Sequence, residues 1–397
     1  AYMKLKVDSI GSQVCSKVVK LDNLINISLT DIKVHSLTSS FQSVIIHISL
    51  GGFSNEITRL TIQDIKTTKT SSSILQLSNQ FPILIKDLSL LRLHSAGSVV
   101  TLSDSLADIE RLTIMNNASG DSSFSYQGTS LKLTEVMCKA NKSKGTACLN
   151  FKVRGTLASF EVAGFSGEDN YGAQLSSSIS IGSASSDNPK LTLKVESATI
   201  TKSDSQAGQN FLRVEAGLTL HSSSVSDLVV ENCKSDDNGA VAIYASGFIA
   251  FKHCQFTNLT SNSSSAIYSY SNSLAGSLTV TCEDCTFEAN TASAVIYMLS
   301  NSVLSELKTV RCSFIKNKAS NVRLEKTIWV DESTSFSEAS SALPPVAYLL
   351  AGSSSYLYKT TVSGNSRLQG MGVVQVSQSS EFKCDECTFT DNVSHDR

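Results

Sequence analysis

Proline is almost missing from this chain of 397 residues: there are 4, with 1 tryptophan and 5 methionines. Turns therefore cannot lean on proline's fixed φ. They fall to Asn, Asp, Ser and Gly, which accept left-handed or side-chain-bonded bends. No apolar run is long enough for a membrane-spanning helix. No window long enough for a helix carries a convincing 3.6-residue hydrophobic period, which argues against helical classes. An excess of one charge is missing too. Lys and Arg number 33 against 35 Asp and Glu, a net charge of −2, so there is no basic field to attract nucleic acid. Charged residues are 17% of the chain, below the usual quarter, and Ser and Thr take the exposed positions instead. The first residues, Ala1-Tyr2-Met3-Lys4, do not read as a signal peptide.

What is present is a recurring phrase. It stands at Cys285-Thr-Phe287-Glu-Ala-Asn290, Cys312-Ser-Phe314-Ile-Lys-Asn317 and Cys387-Thr-Phe389-Thr-Asp-Asn392, and shortened at Cys254-Gln-Phe256-Thr-Asn258. Each copy is flanked by short runs rich in β-branched and aromatic residues, such as Ser277–Val280 before and Ala294–Tyr297 after. Weaker copies extend upstream. Leu29–Lys33 and Ile62–Lys66 look alike, 33 residues apart (65 − 32 = 33). Anchoring each copy on its bend gives gaps mostly of about 21 to 35 residues. That is too short for propeller blades or immunoglobulin-like domains, and it suits one coil of a parallel β-helix. The expectation is an all-β chain: one continuous right-handed parallel β-helix of about fifteen coils over residues 1–397, degenerate over 1–230 and clear over 231–397.

In such a coil, like residues stack at the strand spacing of about 4.8 Å. Phe256, Phe287, Phe314 and Phe389 are then an apolar column, and Asn290, Asn317 and Asn392 an amide ladder at a bend. The phrase, followed by strands such as Gly239-Ala240-Val241-Ala242-Ile243, resembles the right-handed β-helix group called pectin-lyase-like. More narrowly it is similar to polymorphic outer-membrane-protein repeats with their F-x-x-N and G-G-A-I motifs. The resemblance covers residues 230–397 well and implies right-handed coils and an exposed surface or adhesive role.

Cysteine is plentiful, at 10 residues. Cys254, Cys285, Cys312 and Cys387 share one template position, with Cys233 expected there as well, and stacked cysteines fall within disulfide reach. Cys138 and Cys148 can close a short loop. Disulfides among these and Cys282 and Cys384 would place the chain in an oxidising compartment. Cys282-x-x-Cys285 and Cys384-x-x-Cys387 also have zinc-half-site spacing. They are 102 residues apart (384 − 282 = 102), about four coils, or roughly 19 Å in this fold, so one shared metal is not expected. Sequons at Asn26, Asn117, Asn141, Asn258, Asn262 and Asn392 permit glycosylation at about the number chance predicts.

Polysaccharide cleavage, the activity of many β-helices, needs paired carboxylates. The candidates Glu168-Asp169, Asp236-Asp237 and Asp284 all sit in turn-like contexts, and the six histidines are dispersed. Ice binding needs Thr-x-Thr ladders in register, and Thr199/Thr201 and Thr279/Thr281 do not recur. The sequence favours a secreted or cell-surface structural or adhesive protein, with no cofactor, catalytic residue or metal. Its expected partners are copies of itself or a related β-helix end to end, because no polar cap is obvious at either end, together with glycans or cell-surface ligands.

Overall fold

The computed structural model describes residues 2–3, 6–8, 19–25, 28–39, 46–51, 55–67, 73–79, 82–103, 106–184, 188–206, 208–271, 276–301, 304–369 and 372–395. Ile10, Cys15 and Asn26 lie outside them. Every regular element among the described residues is a β-strand, and the strands pair in parallel with their counterparts in the next coil. The fold is a parallel β-solenoid of about 12 turns, against the fifteen expected. Two compact units make it up: residues 1–194 with 203–205, and residues 195–202 with 206–397.

In the first unit, strand Asn55–Thr67 shows how the chain winds. Its burial alternates strictly until Arg59 and again until Asp64, where two successive residues face outward before the alternation resumes. Both residues have positive φ, 57° and 55°. A left-handed residue inserted into a strand turns it sharply, yet the inner face stays the inner face. The same pair, five residues apart (64 − 59 = 5), recurs at Asp87/Arg92, Arg111/Asn116, Glu135/Ala140 and Gly164/Asp169. The left-handed conformation costs an ordinary residue about 1–2 kcal/mol. It is offset because no backbone donor is lost at the corner. Arg92 N–H donates to the Met115 carbonyl at 3.0 Å, Asn116 N–H to Lys139 at 3.0 Å and Ala140 N–H to Glu168 at 2.9 Å.

This double corner explains a sequence likeness that misleads. Leu29–Lys33 and Ile62–Lys66 are not equivalent. Ile32 pairs with Leu60 and Leu37 with Ile65, so the offset is 28 residues (60 − 32 = 28) rather than 33. Each coil carries two corners five residues apart, and matching the first corner of one coil (Asp31) to the second of the next (Asp64) overstates the 28-residue period by one such step. The stacked first corners read Asp31, Arg59, Asp87, Arg111 and Glu135, alternating in sign. Arg59 grips Asp31 and Arg111 grips Asp87 in two-point ion pairs, as Arg92 grips Asp64 at the second corner. The hydrogen bond from Arg111 holds the Asp87 carboxyl below its usual range. Exposed pairs contribute little individually, but a slip by one coil sets like charges one strand spacing apart.

The second unit repeats the device at Ser197/Lys202, Asp227/Asn232, His253/Asn258, Asp284/Ala289, Arg311/Lys316, Ser333/Glu338, Lys359/Gly364 and Glu386/Asp391. The recurring phrase is the segment around this step: Cys follows the first corner, Phe lies between the corners and Asn follows the second. Ring centroids stack at 5.2 Å for Phe256–Phe287, 4.5 Å for Phe287–Phe314 and 4.8 Å for Phe314–Phe336. The column continues through Val362 to Phe389, which is 45% exposed. Asn290 Nδ2 donates to the Phe256 carbonyl at 2.9 Å, and Asn317 Oδ1 accepts from Asn290 N–H at 2.9 Å. Asn365 and Asn392 repeat both contacts; Ala339 interrupts the ladder between them and Asn317. Residues 117, 141 and 170 of the first unit form the same ladder, so Asn117 and Asn141 are buried and their amides engaged. They are not surface acceptors for a glycan, whereas Asn258 and Asn262 are exposed and Asn392 is half-buried.

A buried polar cluster around Asp331 interrupts the apolar interior of this unit. Asp331 accepts hydrogen bonds from Thr309 and Thr360 hydroxyls, and Trp329 Nε1 donates to the Thr309 hydroxyl at 2.8 Å. Burial pushes the Asp331 carboxyl up, against the opposing hydroxyl contacts of Thr309, Thr334 and Thr360. The folded state therefore binds the Asp331 proton more tightly than the unfolded chain. The stability from this group falls as pH rises from about 4 through the folded pKa. Urea denaturation from pH 4 to 7 should show a downward slope from this group that Asp331→Asn removes; an unchanged slope contradicts the assignment. Phe287→Ala should lose about 3–5 kcal/mol in the same assay, with its outward neighbour change Thr286→Ala within about 0.5 kcal/mol.

Candidate functional site

The cysteines divide into two groups. Cys138–Cys148 and Cys384–Cys387 are disulfides, with Cα atoms 6.2 and 6.0 Å apart. Cys233, Cys254, Cys282, Cys285 and Cys312 are buried thiols. Cys254, Cys285 and Cys312 follow successive first corners and stack as expected, each thiol donating back toward the preceding coil, Cys285 to the Phe251 carbonyl and Cys312 to the Cys282 carbonyl. Cys233 does not join them. Val230 pairs with Phe256, which places Cys233 after the second corner, where other coils carry Asn. Hydrogen bonding to Cys285 and burial push the Cys282 and Cys312 thiols far up. Such thiols are poor nucleophiles and poor metal ligands. The two Cys-x-x-Cys pairs stand four rungs apart, through Thr309, Asp331 and Leu357. No group of three or more potential metal ligands assembles among the described residues.

The candidate carboxylates also spread out. Glu168 pairs with Lys139 at 2.6 Å beside the corner residue Asp169. Asp284 is itself a corner, held by Arg311 at 2.7 Å, and the hydrogen bond from Arg311 lowers its carboxyl pKa. Asp236 is exposed, and Asp237 is raised by burial and accepts from Asn238 Nδ2 at 2.9 Å. Glu168-Asp169 and Asp284 belong to corners, Asp236-Asp237 to the turn beyond one, and the three sets stand on separate coils.

A different constellation comes together on the outer face of the second unit. Tyr268, Tyr297, Arg323, Tyr348 and Gln375 occupy one column of consecutive rungs. The strands that carry them put the preceding aliphatic residue inward, as Ile267, Ile296, Val322 and Ala347, so strict alternation sends Tyr and Arg outward. The Arg323 guanidinium lies 4.6 Å from the Tyr297 ring and 5.7 Å from that of Tyr348, a cation sandwiched between two π faces. Tyr268 is 5.6 Å from Tyr297 and 5.9 Å from Tyr244, whose ring faces Arg213 at 5.0 Å. Glu325 fixes the arrangement, accepting from Tyr297 OH at 2.6 Å and from Arg323 Nη2 at 3.0 Å. Burial pushes the Tyr268 phenol up to about 12 and raises that of Tyr297, so both remain neutral donors near pH 7. All of these side chains are half-buried: rigid, yet open on one side.

In the sequence, tyrosines after Ala-Ile look like core. The signal that sends them outward is the period of two: in Ala-Ile-Tyr, if Ile is inside, Tyr is outside. Comparison with protein-family models, with curated proteins and with solved structures returns no match for the chain.

Native protein treated with iodoacetamide should leave Cys233, Cys254, Cys282, Cys285 and Cys312 unmodified on the timescale that alkylates an exposed cysteine, and all five should react in urea. Rapid native labelling of Cys282 or Cys285 would show that the thiol column is open.

Proposed function

We propose that this chain is an extracellular structural or adhesive β-helix that binds through its side and carries out no chemistry. The observation that carries the reading is the tyrosine–arginine column of the second unit. Rigid aromatic faces with a fixed guanidinium present apolar area and directed donors at low entropic cost, the combination that contact surfaces use. Sugar rings, with apolar C–H faces and hydroxyl edges, fit such a strip, and a column of five rungs spans roughly 19 Å from first to last. The disulfides agree with an oxidising compartment, and the hydroxyl-rich exterior with a cell-surface setting. The repeat's likeness to polymorphic outer-membrane-protein and pectin-lyase-like coils points the same way. Stacking on further copies of itself or on a related β-helix remains part of the proposal, and electron microscopy of concentrated protein reads it as filaments.

Glycan-array and cell-binding measurements test the lateral face. Wild-type protein should bind a subset of surface glycans, and Tyr268→Ala with Tyr297→Ala should reduce binding at least tenfold, about 1.4 kcal/mol, with thermal stability still cooperative. Arg323→Ala should lose most of the same binding. Undiminished binding by these variants refutes the assignment of the face. Release of new sugar ends from a bound polysaccharide would refute the non-catalytic reading in favour of cleavage.

A further inference from the structure

The second unit carries the same cysteine-flanked corner twice, once bridged and once open. Cys384 and Cys387 form a disulfide with Cα atoms 6.0 Å apart. Cys282 stands in the column of Cys384, through Thr309, Asp331 and Leu357. Cys285 stands in that of Cys387, since the residues just after them, Thr286 and Thr388, share a column through Ser313, Ser335 and Thr361. Within each pair lies a first-corner residue, Asp284 with φ 53° and Glu386 with φ 52°. The sulfur contacts repeat as well. Cys387 Sγ lies 3.6 and 3.5 Å from the Leu357 and Asp385 carbonyls. Cys285 Sγ lies 3.5 and 3.4 Å from the equivalent Phe251 and Glu283 carbonyls. The open pair therefore stands on the backbone that already carries a bridge.

Closing it adds nothing to a packed interior: two hydrogens leave and two neighbouring sulfurs draw together. Cys285 is in hydrogen-bonding contact with both Cys282 and Cys312, so two bridges compete. A bridge to Cys312 would cross between rungs. Side chains in register on parallel strands keep their Cβ atoms near the strand spacing of about 4.8 Å. A disulfide takes roughly 3.5–4.5 Å, so that bridge needs the backbone to move. The corner pair does not. What separates the two corners is access. Cys384 is exposed and Cys387 half-buried, whereas Cys282 and Cys285 are 0% and 1% exposed. Contact with Cys285 and burial also keep the Cys282 thiol protonated. Thiol–disulfide exchange needs a thiolate and an open line of attack, so the closed coil protects the pair.

We infer that Cys282 and Cys285 are a latent disulfide site, closed by a small-molecule disulfide when the coil opens and locked in when it recloses. One cysteine thiolate attacks the oxidant's S–S bond, giving a mixed disulfide and one released thiolate. The second cysteine gives its proton to solvent, attacks the mixed disulfide and releases the other thiolate. The pair loses two protons and two electrons, which the oxidant carries off as two thiols. The bridge staples the corner just before Phe287, whose ring stacks on Phe256 and Phe314. The site does not depend on the adhesive reading of the tyrosine face.

The full chain held with oxidised glutathione at the urea midpoint, then quenched with iodoacetamide and mapped, tests it. Cleavage after Glu283 separates the two cysteines, and Cys285 should be recovered joined to Cys282. Without urea the pair should stay unlinked over the same time. Cys282→Ser should abolish linkage at Cys285, and Cys312→Ser should leave its yield unchanged. Joining of Cys285 mainly to Cys312 or Cys254, or no linkage at all, overturns the site. Linkage at the same rate without urea overturns its protection by the closed coil.

Discussion

The pair of left-handed residues five positions apart is the constraint on which everything else depends. A β-strand left to itself runs on; here two backbone corners per coil bend it while the corner residues' own N–H groups stay paired with the next coil. Because the corners recur at the same place in each coil, the residues between and just after them stand over one another. The column of Phe256, Phe287, Phe314 and Phe336 and the Asn ladder are consequences of that register. The Asn side chain answers a need that the corner creates. The turn withdraws a carbonyl and an amide from the regular ladder, and one carboxamide supplies both a donor and an acceptor to neighbouring coils.

The fold was legible where the corner coincides with distinctive residues. Cys-x-Phe-x-x-Asn could be read from sequence because Phe must be inside and Asn must follow a corner. The corner residues themselves were not legible. Arg59, Glu135, Ala140 and Lys316 all adopt positive φ without the Gly, Asn or Asp that usually mark it, since the intact ladder and stacked ion pairs outweigh the local preference. The upstream coils therefore align out of phase by sequence likeness, and Cys233 resembles a first-corner cysteine although it follows the second. The tyrosine face is hidden for another reason: it lies on the outside of strands whose inward residues carry the recognisable pattern.

The same geometry decides what the chain can do. Inward columns use up Phe, Val, Ile and buried Cys, while of the acidic candidates Asp169 and Asp284 are corner residues and Asp284 is paired with Arg311 of the next coil. Outward columns inherit the same repetition, which turns single residues into strips, as of tyrosine and arginine in the second unit. A solenoid of this kind makes surfaces by repetition where a globular enzyme makes clefts by folding loops together.

Spin-label distances along one column test the central claim most directly. Gln255, Thr361 and Thr388 share an outward column, with Thr361 four rungs and Thr388 five rungs from Gln255. Backbone separations of roughly 19 and 24 Å follow from the strand spacing. Pulsed dipolar measurement on the two labelled pairs should give distances that differ by about one rung and lie near these values once the label linkers are allowed for. Distances unrelated to rung number would contradict the stacking of like residues, and with it the account of the corners, the ladders and the outer tyrosine face.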